Sequence, residues 1–282
     1  MNAEEEILTP IYYHPHQRVG HSFISVQKIP LFAEQAHRTS FMFEPFVEED
    51  LWQAHSLTFV NDVLTCKIKN GFGTKDDEIN RALLYSNASL WHALNHVIQK
   101  GGVACSASQG FHHAHYSHCY GYCTFNGLVI AARKALELVE KVMIIDGDAH
   151  FGDGTENCLD TLKLRKRVIN VTRDEIGSRA HSQFTAKQWE KYTDQLIAKY
   201  KPDVLMYQAG ADAWDQDPYE AGYLSKRHMG FRDSGIFRSA KNHQIPIAWN
   251  LAGGYSEPMQ LTIDLHLQTL RISDEIYFEG TQ

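Results

Sequence analysis

The 282-residue chain lacks the marks of several protein classes. Its five cysteines (Cys66, Cys105, Cys119, Cys123, Cys158) form no CxxC pair. Cys119 and Cys123 lie four apart, with no two further ligands at matching spacing, which argues against a Cys₄ zinc site. An odd count in a long, core-rich chain reads as reduced, intracellular thiols. No apolar run approaches the ~20 residues that a spanning helix needs. The opening "MNAEEEILTP" is acidic and lacks the charged-then-apolar order of a secretory signal. A cytoplasmic protein without a membrane partner is therefore expected. No strongly basic stretch offsets the net charge of -7, so nucleic acid is not an expected partner. Repeats, low-complexity tracts and long Pro/Gly/Ser linkers are missing as well. With 43% apolar residues, one domain over residues 1–282 is expected.

What is present is an alternation of two patterns. Short apolar, β-branched runs occur at 103–107 "VACSA", 142–145 "VMII", 168–172 "VINVT", 204–208 "VLMYQ" and 245–250 "IPIAWN". Helical stretches lie between them, at 126–140, 187–200 and roughly 225–243. A further helix is expected over 79–99, where Leu83, Leu84, Leu90, Leu94, Val97 and Ile98 form a stripe. Such alternation predicts an α/β fold with three αβα layers around a mainly parallel sheet.

The polar residues follow the strands. "VACSA" leads into "SQGFHHAH", "VMII" into "DGDAH", "VLMYQ" into "AGADAWDQD" and "IPIAWN" into "LAGGY". In a parallel sheet these segments emerge at the carboxyl edge, where open α/β folds bind ligands.

The segment 142–156, "VMIIDGDAHFGDGTE", sets Asp146, Asp148, His150 and Asp153 directly after a buried strand. Like charges so close, near an apolar core, need compensation, and a metal ion is the first candidate. On an extended segment residues two apart point the same way, so Asp148 and His150 can share one ion, and Asp146 could join them. Asp153 also suits the start of a following helix. Asp212, in "QAGADAW", is the third candidate ligand. Three ligands with an open position describe a catalytic metal site. Zn²⁺ is expected, and Fe²⁺, Co²⁺ or Mn²⁺ would also fit two carboxylates and an imidazole.

His112-His113 suggests a general acid/base pair whose tautomers need carboxylates, and Asp146 and Asp153 are to hand. Four histidines in 112–118 also leave open a second metal site or mere histidine richness. In Gly253-Gly254-Tyr255 the glycines allow close backbone approach, and the phenol can serve a developing oxyanion. A haloacid-dehalogenase-type phosphatase is disfavoured, because its DxD and GDGxxD pieces lie far apart while here they overlap. Arginase-like ureohydrolases use DAHxD, and "DAHFGD" is one residue longer.

Together these residues resemble the histone deacetylase superfamily, including acetylpolyamine amidohydrolases and bacterial histone-deacetylase-like amidohydrolases, loosely on the class IV side. The motifs "GFHHAHYSHCYGYCTFN", "IIDGDAHFGDGTE", "YQAGADAWDQDPYEAGYLS" and "LAGGY" appear in family order, over about Ile11 to Leu270. "LWQAHSLTFVNDVL" is similar to the family's early helix with its His-Ser pair. The resemblance implies the arginase/deacetylase fold and a metal-dependent amidohydrolase with Asp148, His150 and Asp212 as ligands. It implies catalytic His112 and His113, oriented by Asp146 and Asp153, and Tyr255 polarising the substrate carbonyl. Gly121, Tyr122 and Gly254 would line the acyl-lysine channel, and a structural K⁺ would lie near Asp146. Partners would be an acylated lysine peptide or protein, or an acetylated polyamine. A non-catalytic acyl-lysine binder on the same fold is the alternative of another class. The chain departs from the family after "VINVT", where Arg173 and Asp174 replace the usual wall aromatic. A rim carboxylate is expected at Asp76 or Asp77.

Overall fold

Residues 8–20, 23–173, 176, 179–219 and 221–278 are described by the computed structural model. Its strands are β1 (Ile11–Tyr12), β2 (Ser40–Phe41), β3 (Val103–Gln109), β4 (Val142–Asp146), β5 (Val168–Val171), β6 (Val204–Gln208) and β7 (Ile247–Ala252). They form one sheet in the order β2-β1-β3-β7-β6-β4-β5, and every pair is parallel. The helices are α1 (Ile24–Gln35), α2 (Glu48–Leu51), α3 (Leu57–Leu64), α4 (Asp77–Lys100), α5 (Gly127–Ala135), α6 (Asp153–Thr161), α7 (Ala186–Tyr200), α8 (Lys226–Asn242) and α9 (Gln260–Tyr277). None among the described residues is long and apolar enough to cross a membrane.

The strand residues are apolar on both faces because both faces are covered, as parallel sheets require. Alternation along each strand sorts them into two cores. Ala104, Ile144, Met206 and Ala248 pack with Leu83, Leu90, Leu94 and Val97 of α4 and Leu128 and Ala132 of α5. Cys105, Ile145, Tyr207 and Trp249 pack with Phe32 of α1, Trp189 of α7, Phe237 of α8 and Leu270 of α9. The result is three layers, as the alternation predicts.

The details differ from the sequence pattern in instructive ways. The helix expected over 126–140 runs from Gly127, capped by Asn126 whose side chain accepts from the Val129 amide, and ends at Ala135. The last expected strand runs on to Ala252, stopping where two glycines follow. Strands β1 and β2 are two residues each, too short to leave a periodic signal.

Where β4 and β6 run out, Asp146, Gln208 and, within β7, Asn250 stand opposite one another in register. This polar row marks the end of the apolar part of β4 and β6. The chain beyond it carries the candidate functional residues to one rim.

Candidate active site

Asp148 and His150 follow β4, and Asp212 follows β6. Their ligand atoms all lie within 4.8 Å of one another. His150 Nδ1 is 3.1 Å from Asp148 Oδ1 and 3.0 Å from Asp212 Oδ2. Backbone amides aim the carboxylates: His150 N–H donates to Asp148 Oδ1 (3.0 Å), Gly253 N–H to Asp148 Oδ2 (3.1 Å) and Ala149 N–H to Asp212 Oδ1 (3.3 Å). Both carboxylates are buried. Burial and the neighbouring Asp148 push Asp212 up to about 7. Burial also opposes ionisation of Asp148, but His112 and His150 hold it well below the usual carboxylate range. Hydrogen bonds to both aspartates raise His150 to about 10, so its proton stands between them where a cation would. Two buried carboxylates and one imidazole, short of positive charge, suit a divalent metal.

The tandem histidines follow β3, and each meets its own carboxylate. His112 Nδ1 donates to Asp146 Oδ2 (2.7 Å), and His113 Nδ1 donates to Asp153 Oδ1 (2.6 Å). Their rings are 4.1 Å apart. Asp146 also accepts from Gln208 Nε2 (2.8 Å) and from the Asp148 amide (3.3 Å). Asp153 is the first residue of α6, where a carboxylate also favours the helix N-terminus. The two imidazoles diverge electrostatically. Burial would lower His112, but Asp146 and Asp148 outweigh it and raise it to about 9. Burial and the adjacent His112 lower His113, despite Asp153. A dication beside Asp148 would cancel part of the field that raises His112.

A cavity of about 200 Å³ opens onto these groups and is lined by His112, His113, Asp148, His150, Gly121, Tyr122 and Tyr255, among others. Gly121 has φ +59°, and a Cβ there would come within 2.8 Å of His113 Cδ2. Tyr122 also adopts a left-handed φ, 62°, and its amide donates to Gly71 O (2.9 Å). Gly254 is not among the cavity-lining residues, and a Cβ there would meet Thr262 and Ala211. Lys28 of α1, fully buried, donates to the Ala252 carbonyl and sits 5.6 Å from the Tyr255 ring centre.

Sequence reasoning missed the second wall. Tyr219 lines the cavity, and its hydroxyl is 2.8 Å from that of Tyr122. Asp217 holds the backbone of both flanking tyrosines, accepting from Tyr255 N–H (2.8 Å) and Tyr219 N–H (3.2 Å). The "DPY" turn was a visible signal, since Asp followed by Pro initiates turns. Arg173 is not among the cavity-lining residues, and Asp174 lies outside the described residues. Asp76 caps α4 and Asp77 pairs with Arg81, so neither lines the cavity. The histidine-rich stretch forms no second ligand cluster among the described residues. His115 instead reaches Asp153 Oδ2 (3.1 Å) and stacks on His118. His55 of the early His-Ser pair meets the His115 carbonyl and the Asn126 amide, while Ser56 caps α3.

A parallel three-layer sheet with an Asp-His-Asp cluster and a tandem histidine pair at its carboxyl edge defines the deacetylase-like class of α/β proteins. The family model of the histone deacetylase domain matches residues 14–172 and 163–270, so the chain belongs to that family. It is 25% identical over 197 residues to an uncharacterized protein of Picosynechococcus sp., covering 62% of this chain and 64% of that protein. It is 30% identical over 173 residues to Histone deacetylase 2 of Arabidopsis thaliana, covering 55% of this chain and 44% of that protein. The chain thus spans less than two thirds of the length of these relatives. The crystal structure of the acetylpolyamine aminohydrolase from Burkholderia pseudomallei superposes with a TM-score of 0.74 at 15% identity, over 94% of this chain and 98% of that one. It shares the fold.

Proposed function

We propose that the protein hydrolyses N-acyl amides in a metal-dependent reaction, with ε-acyl-lysine side chains of proteins or peptides as substrates. One observation carries this: one cavity is lined by Asp148 and His150 of the Asp148-His150-Asp212 cluster, by both tandem histidines, each bonded to its own aspartate, and by Tyr255. Asp148, His150 and Asp212 would hold the ion, Zn²⁺ first, with Fe²⁺, Co²⁺ or Mn²⁺ also suited. A divalent cation there supplies Lewis acidity toward a carbonyl oxygen and acidifies water.

The protein's own groups do the rest. Neutral His113, with its Nδ1 proton on Asp153, keeps the lone pair on Nε2 and takes a proton from the attacking water. The water oxygen bonds to the carbonyl carbon. Tyr255 donates its hydroxyl to the resulting oxyanion, and burial that raises its pKa well above 10 keeps that proton in place. The C–N bond then breaks, and the proton passes to the leaving amine. His112, held by Asp146, serves as electrostatic partner or as the acid. Tyr122 and Tyr219 would flank an aliphatic chain once their hydroxyl–hydroxyl contact opens. A K⁺ near Asp146 would have to rely on backbone carbonyls, because that carboxylate already serves His112, Gln208 and the Asp148 amide.

An acetylated polyamine is the second substrate reading, favoured by the fold shared with the acetylpolyamine aminohydrolase. A non-catalytic binder would have no use for Tyr255 and two oriented histidines. A fluorogenic acyl-lysine assay with and without chelator, repeated with longer acyl chains and with acetylpolyamines, tests all of this. Turnover that a chelator abolishes and metal restores is expected; no turnover on any acyl amine refutes it.

A further inference from the structure

We propose that Tyr120 and His115 are positioning residues for His113, acting through Asp153. Its kinetic consequence rests on the amide-hydrolysis reading above. His113 engages only one oxygen of Asp153, Oδ1. The other, Oδ2, takes two donors, the Tyr120 hydroxyl and His115 Nε2. A half-buried carboxylate at the start of a helix would otherwise rotate and offer water either oxygen. With Oδ2 occupied twice, Oδ1 is left for His113.

The same turn also bounds the His113 ring. Tyr120 stacks on it, with ring centres 5.1 Å apart and an interplanar angle of 26°. Gly121 lies against its edge, so close that a Cβ would reach 2.8 Å. The next residue, Tyr122, is the channel wall. Tyr120 is 45% exposed, so the core does not need it. An exposed phenol that turns inward to a carboxylate and covers an imidazole is placed for that imidazole. His115 is anchored in turn by stacking on His118, with ring centres 4.0 Å apart. Base and wall are thus fixed by one three-residue stretch, Tyr120 to Tyr122.

The test uses the full-length, metal-loaded protein and two readouts. Tyr120→Phe keeps the stacked ring and removes the hydroxyl; His115→Leu removes the second donor, and His115→Gln retains one. Losing such a partner typically costs on the order of tenfold. Tyr120→Phe and His115→Leu should each lower kcat by about tenfold, with KM within about twofold and metal content unchanged, and His115→Gln should recover most of the loss. Separately, the imidazole N–H of His113 that bonds Asp153 should give a downfield proton resonance in ¹⁵N-labelled protein, assigned by its loss in His113→Gln. That resonance should shift in Tyr120→Phe. Unchanged kcat in both variants, or an unmoved resonance, overturns the proposal. If the wild type hydrolyses no acyl amine, the functional reading fails, and the resonance alone decides the positioning.

Discussion

Replacing Gly253 with alanine adds one methyl group at the point where β7 passes the two carboxylates. The added carbon would lie 2.4 Å from Asp212 Oδ2, 2.5 Å from Asp212 Cγ and 2.6 Å from Asp148 Oδ2. Ordinary contact starts near 3.4 Å, so three atoms are encroached upon by roughly 1 Å. Gly253 is outside the left-handed region, so backbone strain does not confuse the outcome. The clash must push both carboxylates or the strand end. Metal ligands tolerate errors of about 0.2 Å, and two of the three would be displaced by more. Metal affinity should therefore fall at least about 100-fold, near 2.7 kcal/mol. The metal-free protein should lose only the ~1–3 kcal/mol typical of overpacking. Gly110→Ala is the control, since its nearest neighbour would be 3.7 Å away. Competition with a chromogenic chelator measures the affinity, and thermal unfolding of the metal-free forms measures the stability. Gly253→Ala binding zinc within threefold of wild type would refute the assignment of Asp148 and Asp212 as ligands.

Four further outcomes are expected. Tyr255→Phe should fold, keep its metal and lose about 10²–10³ in kcat, as loss of an oxyanion donor does; steady-state kinetics with wild-type turnover would sink that role. Because His150 sits at about 10 and Asp212 at about 7 without metal, metal binding at pH 7 should release more than one proton, and affinity should rise roughly tenfold per pH unit between 7 and 10 and more steeply below 7. Calorimetry in buffers of different ionisation enthalpy reads this directly, and zero release contradicts it. Burial lowers His55 to about 4, below its unfolded value near 6.5. Only the unfolded chain binds that proton in between, so the stability is present above pH 6.5 and up to about 3 kcal/mol is lost as pH falls to 4. Denaturant titrations of His55→Gln should show a shallower pH slope than wild type; identical slopes rule the account out. Tyr219→Ala removes one wall and should raise KM several-fold with kcat nearly unchanged, as loss of uniform binding does. A kcat loss at constant KM would mean that Tyr219 acts in chemistry instead.

The five longer strands and the paired motifs were legible because burial and extended geometry leave a mark in composition. Val142 to Ile145 must be apolar on both faces, and Asp146, the first charged side chain, shows where the strand ends. Asp148 and His150 share a strand end and a period of two, so their convergence could be read locally. Asp212 needed only the knowledge that all strand ends share a rim. Tyr219, Lys28 and Asp217 were not legible, for a common reason: each reaches the site through a loop or a helix whose path depends on what it packs against. Asp153 was expected to orient a tandem histidine, and it bonds His113 while also opening α6, so both carboxylate functions occur together at that position.

Strand β7 is the last strand among the described residues, yet it lies between β3 and β6. Before it is made, the sheet exists only as two fragments, β2-β1-β3 and β6-β4-β5, each with a bare inner edge. An unpaired edge is a template for the wrong partner. During synthesis the chain must therefore guard two sticky edges until Ile247–Ala252 has left the ribosome. The strand that finally joins them also delivers Gly253 against the carboxylates and Tyr255 to the cavity. Completion of the architecture and arming of the chemistry are one event, so a chain cut short before residue 247 would be inert as well as prone to aggregate.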